Sequence, residues 1–393
     1  DFRASDYMEK LTLKNFAEGL RACVGGASGE AAGPIKLVVG NEASDADSIV
    51  SALLYAYLLH EEALKAGGFA VPLVFCDRDD MTLRKETVLL LEQCGVRAEH
   101  LMFLNDPGIC EELLPRVTEV VLVDHNRAVG PISSLDSKIT TIIDHHKDLG
   151  SHAHIAGESR QIAFEGDQAT AGSSCSLVAA HFLKSPAGKE LLSLDSGAAA
   201  LALLGVTLID TVNMNPKAKK VTPCDVAAVR ALEEHVVTDK TELFARLDAA
   251  KFDEAFWCSL SAEQCLRYDY KCFESAGKKY GLSSVLCPLE SLAAKDGWED
   301  AARRWASQVD LFGVLSNTKV AGGSPQRQLT LLASDEALTA RAAEFAANYS
   351  EPALELEPMD LAGPAGLKAF RQCNSAASRK QVAPCLGAFF ASL

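Results

Sequence analysis

The chain has 393 residues, 48% hydrophobic and 23% charged, the composition of an ordinary globular protein with room for two domains. Its formal net charge of −15 argues against a general nucleic-acid binder, which needs a basic stripe. No apolar run approaches the roughly 18–20 residues of a membrane-crossing helix, so no membrane partner is expected.

At the N-terminus, no basic stretch precedes an apolar core, so no secretory signal is expected. Met8 reads as the natural start, and the seven residues before it are left out of the functional reading. The 12 cysteines are scattered through apolar segments (Cys76, Cys110, Cys175, Cys385) without a Cys-x-x-Cys pair. They read as small core hydrophobes in a reduced compartment, and a cytoplasmic location is expected.

Ile35–Val39 is a short β-branched run, and the spacing of Ile49, Leu53, Leu54, Tyr57, Leu58 and Leu64 predicts a helix over Asp47–Lys65. Val71–Phe75 predicts a second strand, and Thr82–Cys94 a helix stopped by Gly95. Val120–Val123 and Thr140–Ile143 are further strands. Ser173-Ser174 reads as a helix start, and Gly197–Val212 as a helix packed on most sides, ending in Asp210-Thr211. Strands alternating with helices predict an α/β fold with a mainly parallel sheet and helices on both faces.

Composition changes at Asn213–Asp225, with Pro216, Pro223, Lys217, Lys219 and Lys220. The expected organisation is a metal-binding domain over residues 8–215, a linker over 216–224, and a smaller mixed α/β domain over 225–393. The second part is helical over Asp225–Cys272, with strands at Ser284–Cys287, Leu311–Leu315 and Leu329–Leu332. The last 33 residues contain Lys368, Arg371, Arg379 and Lys380 but no Asp or Glu, which marks an anion site on an acidic protein.

Three strand-like runs end in metal-ligand residue types. Asn41, Asp45 and Asp47 follow the first, Asp124-His125-Asn126 the third and Asp144-His145-His146 the fourth. In parallel sheets the ligand crevice lies beyond the carboxyl ends of the strands, where all three motifs fall. Taken alone, Asp45 or Ser44 could simply cap a helix, and paired histidines also occur in loops. Together, Asp45, Asp47, Asp124, His145 and Asp210 form an oxygen-rich set with one imidazole. That set suits Mg²⁺ or Mn²⁺ better than structural zinc. Converging carboxylates repel unless cations lie between them, and two bridged ions suit in-line attack on phosphorus.

Gly40–Ser48, Val123–Asn126 and Asp144-His145-His146 resemble successive motifs of the DHH phosphoesterase superfamily. Ser378-Arg379-Lys380-Gln381 resembles the basic motif of the branch that holds family II pyrophosphatases, exopolyphosphatases and prune-like proteins. No Gly-rich motif ending in His, as in the nuclease branch, follows; the last histidine is His235. Pyrophosphatases of this branch have His where this chain has Asn41, and Asn there resembles the exopolyphosphatases, as does the segment from Cys76 to Arg84.

The resemblance implies that Asp45 and Asp124, with Asn41, hold one metal. It implies that Asp47, Asp124, His145 and Asp210 hold the second, Asp124 bridging. Asp124 and His146 are then the catalytic pair, His146 contacting the terminal phosphate and protonating the leaving group. Lys271, Arg379 and Lys380 are the implied phosphate ligands. Gln381 stands where pyrophosphatases often carry a further basic residue. The expectation is an exopolyphosphatase that uses Mg²⁺ or Mn²⁺, at least two ions. It would cleave terminal phosphoanhydride bonds of inorganic polyphosphate by attack of a metal-bridging hydroxide, as a monomer with its site in the interdomain cleft. The alternatives are a manganese-dependent inorganic pyrophosphatase, a prune-like short-chain polyphosphatase or nucleotide phosphodiesterase, and an inactive scaffold. A polyphosphate-storing acidic organelle is a second possible location. A channel of basic residues including Lys217, Lys219 and Lys220 is expected. His152 and His154 read as loop residues, Ser173 and Ser174 as caps, and Arg78 and Arg84 as holders of local ion pairs.

Overall fold

The computed structural model describes residues 11–24, 33–166, 168–319 and 325–393, so Met8 lies outside the described residues. The chain divides into two compact units, Asp1–Ala250 and Lys251–Leu393.

The first unit opens with α1 (Leu13–Val24), followed by β1 (Ile35–Val39), α2 (Ala46–Lys65), β2 (Phe69–Leu73) and α3 (Lys85–Gln93). Next come β3 (Val117–Val123), β4 (Ile139–Asp144) and β5 (Arg160–Ile162), then a two-residue hairpin of β6 (Phe164–Glu165) and β7 (Gln168–Ala169). Five helices complete or leave the unit: α4 (Ser174–Leu183), α5 (Pro186–Ser193), α6 (Ala198–Asp210), α7 (Pro223–Glu233) and α8 (Lys240–Lys251). The main sheet runs β2-β1-β3-β4-β5, every pair parallel. Strand order therefore reverses between β1 and β3, the switch point where such sheets open a crevice.

Side-chain alternation along β1 sends Val38 to one face and Ile35, Leu37 and Val39 to the other. The Val38 face packs against α-helices, among them α2, α4 and α6, each buried over most of its length. The opposite face is covered by short helical turns, Ile109–Leu113, Leu114–Arg116 and Gly130–Lys138. The strand predicted at Val71–Phe75 lies two residues earlier, and Pro72 is tolerated there because β2 is an edge strand.

Pro186–Asp210 has the length and apolarity of a membrane-crossing helix, which the sequence reading did not expect. It is interrupted by left-handed backbone at Asp195 and Ser196 (φ 49° and 56°), and 67% of its most apolar window is buried inside the protein.

The expected linker at 216–224 does not separate the units. Residues Val212, Asn213 and Met214 turn left-handed after α6, and Pro216–Ala218 is a single helical turn. The chain then enters α7, whose Ala228, Val229 and Leu232 join the first core, as do Leu243 and Leu247 of α8. Lys217, Lys219 and Lys220 consequently belong to the first unit, not the second.

The second unit contains α9 (Glu254–Ser259), α10 (Ala262–Arg267), β8 (Tyr270–Ser275), β9 (Lys278–Val285), α11 (Leu289–Ala293) and α12 (Trp298–Ala306). It continues with β10 (Leu311–Lys319), β11 (Pro325–Leu332), α13 (Glu336–Asn348), β12 (Leu356–Pro358), β13 (Lys368–Gln372) and α14 (Arg379–Ala391). Its sheet runs β12-β13-β11-β10-β9-β8 and is mixed, with β9 and β10 parallel and the other pairs antiparallel.

Candidate metal centre

Loops at the carboxyl ends of β1, β3 and β4 bring the three acidic motifs together. Asp124 follows β3 in left-handed backbone (φ 61°), a conformation costly for a non-glycine residue and held here by its surroundings. Its amide donates to Ile143 O (2.9 Å), which ties it to β4. Across the switch point, Asn41 Nδ2 donates to Asp124 Oδ2 (2.7 Å) and to Asp124 O (3.2 Å). Ser48 Oγ donates to the same Oδ2 (2.7 Å) and accepts from Asn41 N (3.0 Å).

The Asn41 amide is thus fixed in orientation. Its oxygen accepts from Ala43 N (2.9 Å) in its own loop, while its nitrogen faces the Asp124 carboxylate. A side-chain nitrogen that donates to a carboxylate has no lone pair for a cation. In this arrangement Asn41 Nδ2 orients Asp124, and any ligation by Asn41 would come from its Oδ1.

His145 Nδ1 lies 2.9 Å from Ala171 O, and a carbonyl only accepts, so Nδ1 carries the proton. Nε2 therefore faces Asp124 Oδ1 (3.3 Å) and Asp47 Oδ2 (3.7 Å). A backbone carbonyl on the far nitrogen is how metal-ligating histidines are commonly oriented. His146 Nδ1 contacts Asp144 Oδ1 (2.8 Å) and lies 3.5 Å from Asp124 Oδ1. Among the described residues, Asp124, His145 and His146 offer ligand atoms within 4.8 Å of one another. The two histidines assigned different roles from the sequence thus both reach the same carboxylate.

Asp144 is fully buried and works as a brace. Its Oδ1 accepts from His145 N (2.7 Å) and His146 N (3.1 Å), and its Oδ2 from Asn126 Nδ2 (2.6 Å). Burial alone would raise this carboxyl, but the charge and hydrogen bond of His146 outweigh burial and hold it well below the usual carboxylate range.

Asp47, in the first turn of α2, sits at the start of α4. Its Oδ1 accepts from Ser173 Oγ (2.8 Å) and Cys175 N (2.8 Å), its Oδ2 from Ser174 N (2.7 Å). Ser174 Oγ donates to Asp124 Oδ1 (3.3 Å). Ser173 does cap α4, as expected, but the same turn also holds two acidic residues of the site. Burial, then the charges of Asp210 and Asp124, push the Asp47 carboxyl well above its ordinary value. Asp210 closes α6, and Asp45 caps α2 by accepting from Ser48 N (3.0 Å). Both act on Asp47 as negative charges.

The loop from Asn41 to Asp45 is locked from beneath. Arg84 is 2% exposed and donates to the carbonyls of Ala43 (2.6 Å) and Asp80 (2.7 Å) and to that of Ser44. Arg78 is bidentate to Asp106 (2.6 Å to each oxygen) and is structural. His152 and His154 lie in a turn, as expected.

The donor set fits a divalent cation. A buried Asp47 carboxyl raised by burial and by the charges of Asp210 and Asp124, beside an imidazole whose Nε2 faces the carboxylates, is stabilised when positive charge enters.

In the second unit, Arg379 opens α14 and donates to Asp269 O (2.8 Å) and Oδ1 (2.7 Å). Burial raises Asp269, but Arg379 and then Lys271 hold it below its usual value. Lys271 lies on β8, and Lys380 is exposed. Gln381 completes a capping box, its Oε1 accepting from Ser378 N (2.8 Å). Gln381 thus holds the helix start.

Residues 36–206 match the DHH family N-terminal domain, and residues 245–389 match the DHHA2 domain. A Schizosaccharomyces pombe protein named "Putative exopolyphosphatase" is 32% identical over 95% of this chain and 96% of its own length. Exopolyphosphatase PRUNE1 of Homo sapiens is 27% identical over 97% of this chain and 81% of its own. A manganese-dependent inorganic pyrophosphatase of Methanocaldococcus jannaschii is 26% identical over 64% of this chain and 71% of its own. A crystal structure described as a "putative family II inorganic pyrophosphatase" of Methanococcus jannaschii has the same fold, with a TM-score of 0.59 and 21% identity over 91% of this chain and 99% of that one.

Proposed function

The chain belongs to the DHH family, with a DHHA2 domain as its second part, and on that premise we propose that it is an exopolyphosphatase. The observation that carries this reading is the buried pairing of Asp124 with the Nε2 face of His145, beside an Asp47 carboxyl raised by burial and by the charges of Asp210 and Asp124. Similarity to proteins named exopolyphosphatase along nearly the whole chain supports the substrate class.

In this reading Asp47, Asp124, His145 and Asp210 hold divalent ions, with Asp45 at the rim. Mg²⁺ and Mn²⁺ both suit such donors. Bound ions would supply charge compensation for the phosphate oxygens and a lower pKa for a coordinated water. Asn41 and Ser48 keep Asp124 in its rotamer. His146, with Nδ1 on Asp144, presents Nε2 to the substrate and delivers a proton to the leaving phosphate oxygen. Lys271 and Lys380 bind phosphate oxygens by charge, and Arg379 by its planar fork. The substrate is linear inorganic polyphosphate, shortened from its end, in the cytoplasm.

The test compares phosphate release from pyrophosphate and from long-chain polyphosphate, each with Mg²⁺ and with Mn²⁺. Faster turnover of the long chain is expected. Preference for pyrophosphate would replace this reading with the pyrophosphatase one.

A further inference from the structure

Asp225 is fully buried on α7 and lies outside the acidic motifs. Its carboxylate meets the amide of Gly172 with both oxygens, at 3.0 Å and 2.9 Å. Ser176 Oγ donates to its Oδ1 (2.7 Å), and Thr222 N (2.8 Å) and Oγ1 (2.7 Å) to its Oδ2. A buried charge so fully satisfied is a fixed anchor rather than a surface accident.

The turn it anchors reaches the metal centre on its other side. Ala171 O, one residue before Gly172, accepts from His145 Nδ1 (2.9 Å). Ser173 Oγ, Ser174 N and Cys175 N, just after it, hold both oxygens of Asp47 at 2.7–2.8 Å. One short turn therefore sets the tautomer of an imidazole and the rotamer of a carboxylate. Gly172 is needed for the approach: a Cβ there would lie 2.4 Å from Lys220 O and 2.8 Å from Asp225 Oδ2.

We infer that Asp225 is a positioning residue for the metal centre, acting through the Ala171–Cys175 turn on His145 and Asp47 together. It never touches metal or substrate. It fixes where the turn sits, and the turn fixes two donors. The inference rests on the reading of His145 and Asp47 as metal ligands.

The experiment titrates Mn²⁺ into the metal-free full chain, following free Mn²⁺ by electron paramagnetic resonance, for wild type, Asp225→Asn, His145→Ala and Ser185→Ala. Outer partners of metal ligands typically change affinity by about 10–100-fold, and a loss in that range is expected for Asp225→Asn with the far-ultraviolet circular dichroism retained. Ser185 caps α5 by accepting from Gly188 N (3.0 Å), so Ser185→Ala reports mere loss of stability and should keep wild-type affinity. If Asp225→Asn fails to fold, Gly172→Ala reads the same link and should weaken Mn²⁺ binding. Wild-type affinity in the folded variant, or an equal loss in Ser185→Ala, would overturn the inference. If His145→Ala also binds Mn²⁺ like wild type, the metal-centre reading fails first, and the two failures are distinguishable.

Discussion

Replacing Asn41 by Asp exchanges one amide nitrogen for oxygen and reverses the sign of its main contact. The donor 2.7 Å from Asp124 Oδ2 becomes a second carboxylate oxygen. At an effective dielectric of about 20, two unit charges at that separation repel by roughly 6 kcal/mol. Keeping one proton between the two carboxyls is cheaper. For an ordinary carboxyl near pKa 3.9 that costs about 4 kcal/mol at pH 7, and about 1.4 kcal/mol less for each unit of acidification. The new O–H···O⁻ contact roughly replaces the lost N–H···O⁻ one. The sign follows from linkage: the folded variant holds a proton that the unfolded chain releases, so its deficit grows as pH rises. A divalent ion displaces that proton and gains an oxygen ligand, which returns most of the loss. Urea denaturation of wild type and Asn41→Asp across about pH 5 to 7, with chelator and then with Mn²⁺, measures all three terms. A deficit that does not change with pH, or one that Mn²⁺ leaves untouched, would refute the assignment of Asn41 as the donor that orients Asp124.

Asp124→Ala should abolish metal-dependent phosphate release while leaving the circular dichroism spectrum in place; a near-wild-type rate would exclude Asp124 from the centre. His181 is pushed down to about 4 by burial, from an ordinary 6.5, while its Nε2 lies 3.0 Å from Gln161 Oε1. Between those two values the unfolded chain binds the proton and the folded one does not, so stability falls as pH falls through this window, by up to about 3 kcal/mol. His181→Leu should flatten that part of the thermal-stability profile, and an unchanged slope would show that another group carries it.

The three acidic strand ends were legible because a parallel strand buried on both faces is a continuous apolar run, so its end is visible in the sequence. The boundary between units was not. Asn213–Pro223 has the composition of a linker, and a surface turn inside a unit has the same composition. Only the burial of Ala228, Val229 and Leu232 separates the two cases, and that is a tertiary fact. The helix-cap reading of Ser173-Ser174 captured the local role and missed the larger one. A hydroxyl that caps a helix and one that also holds Asp47 look alike in sequence, since their partner lies 126 residues away. Asn41 had the residue type of a weak oxygen ligand, but which end of the amide faces Asp124 is set by Ala43 N. Gln381 reads as a lost charge until Ser378 N is seen bonded to it.

Removal of terminal phosphate from a polyphosphate is the reaction proposed for this chain. Phosphorus nuclear magnetic resonance of long-chain polyphosphate incubated with the enzyme and Mn²⁺ tests it directly. Growth of the orthophosphate signal alone is expected, with the chains shortening from their ends. Accumulation of mid-sized fragments, or an inert long chain beside rapidly cleaved pyrophosphate, would contradict it.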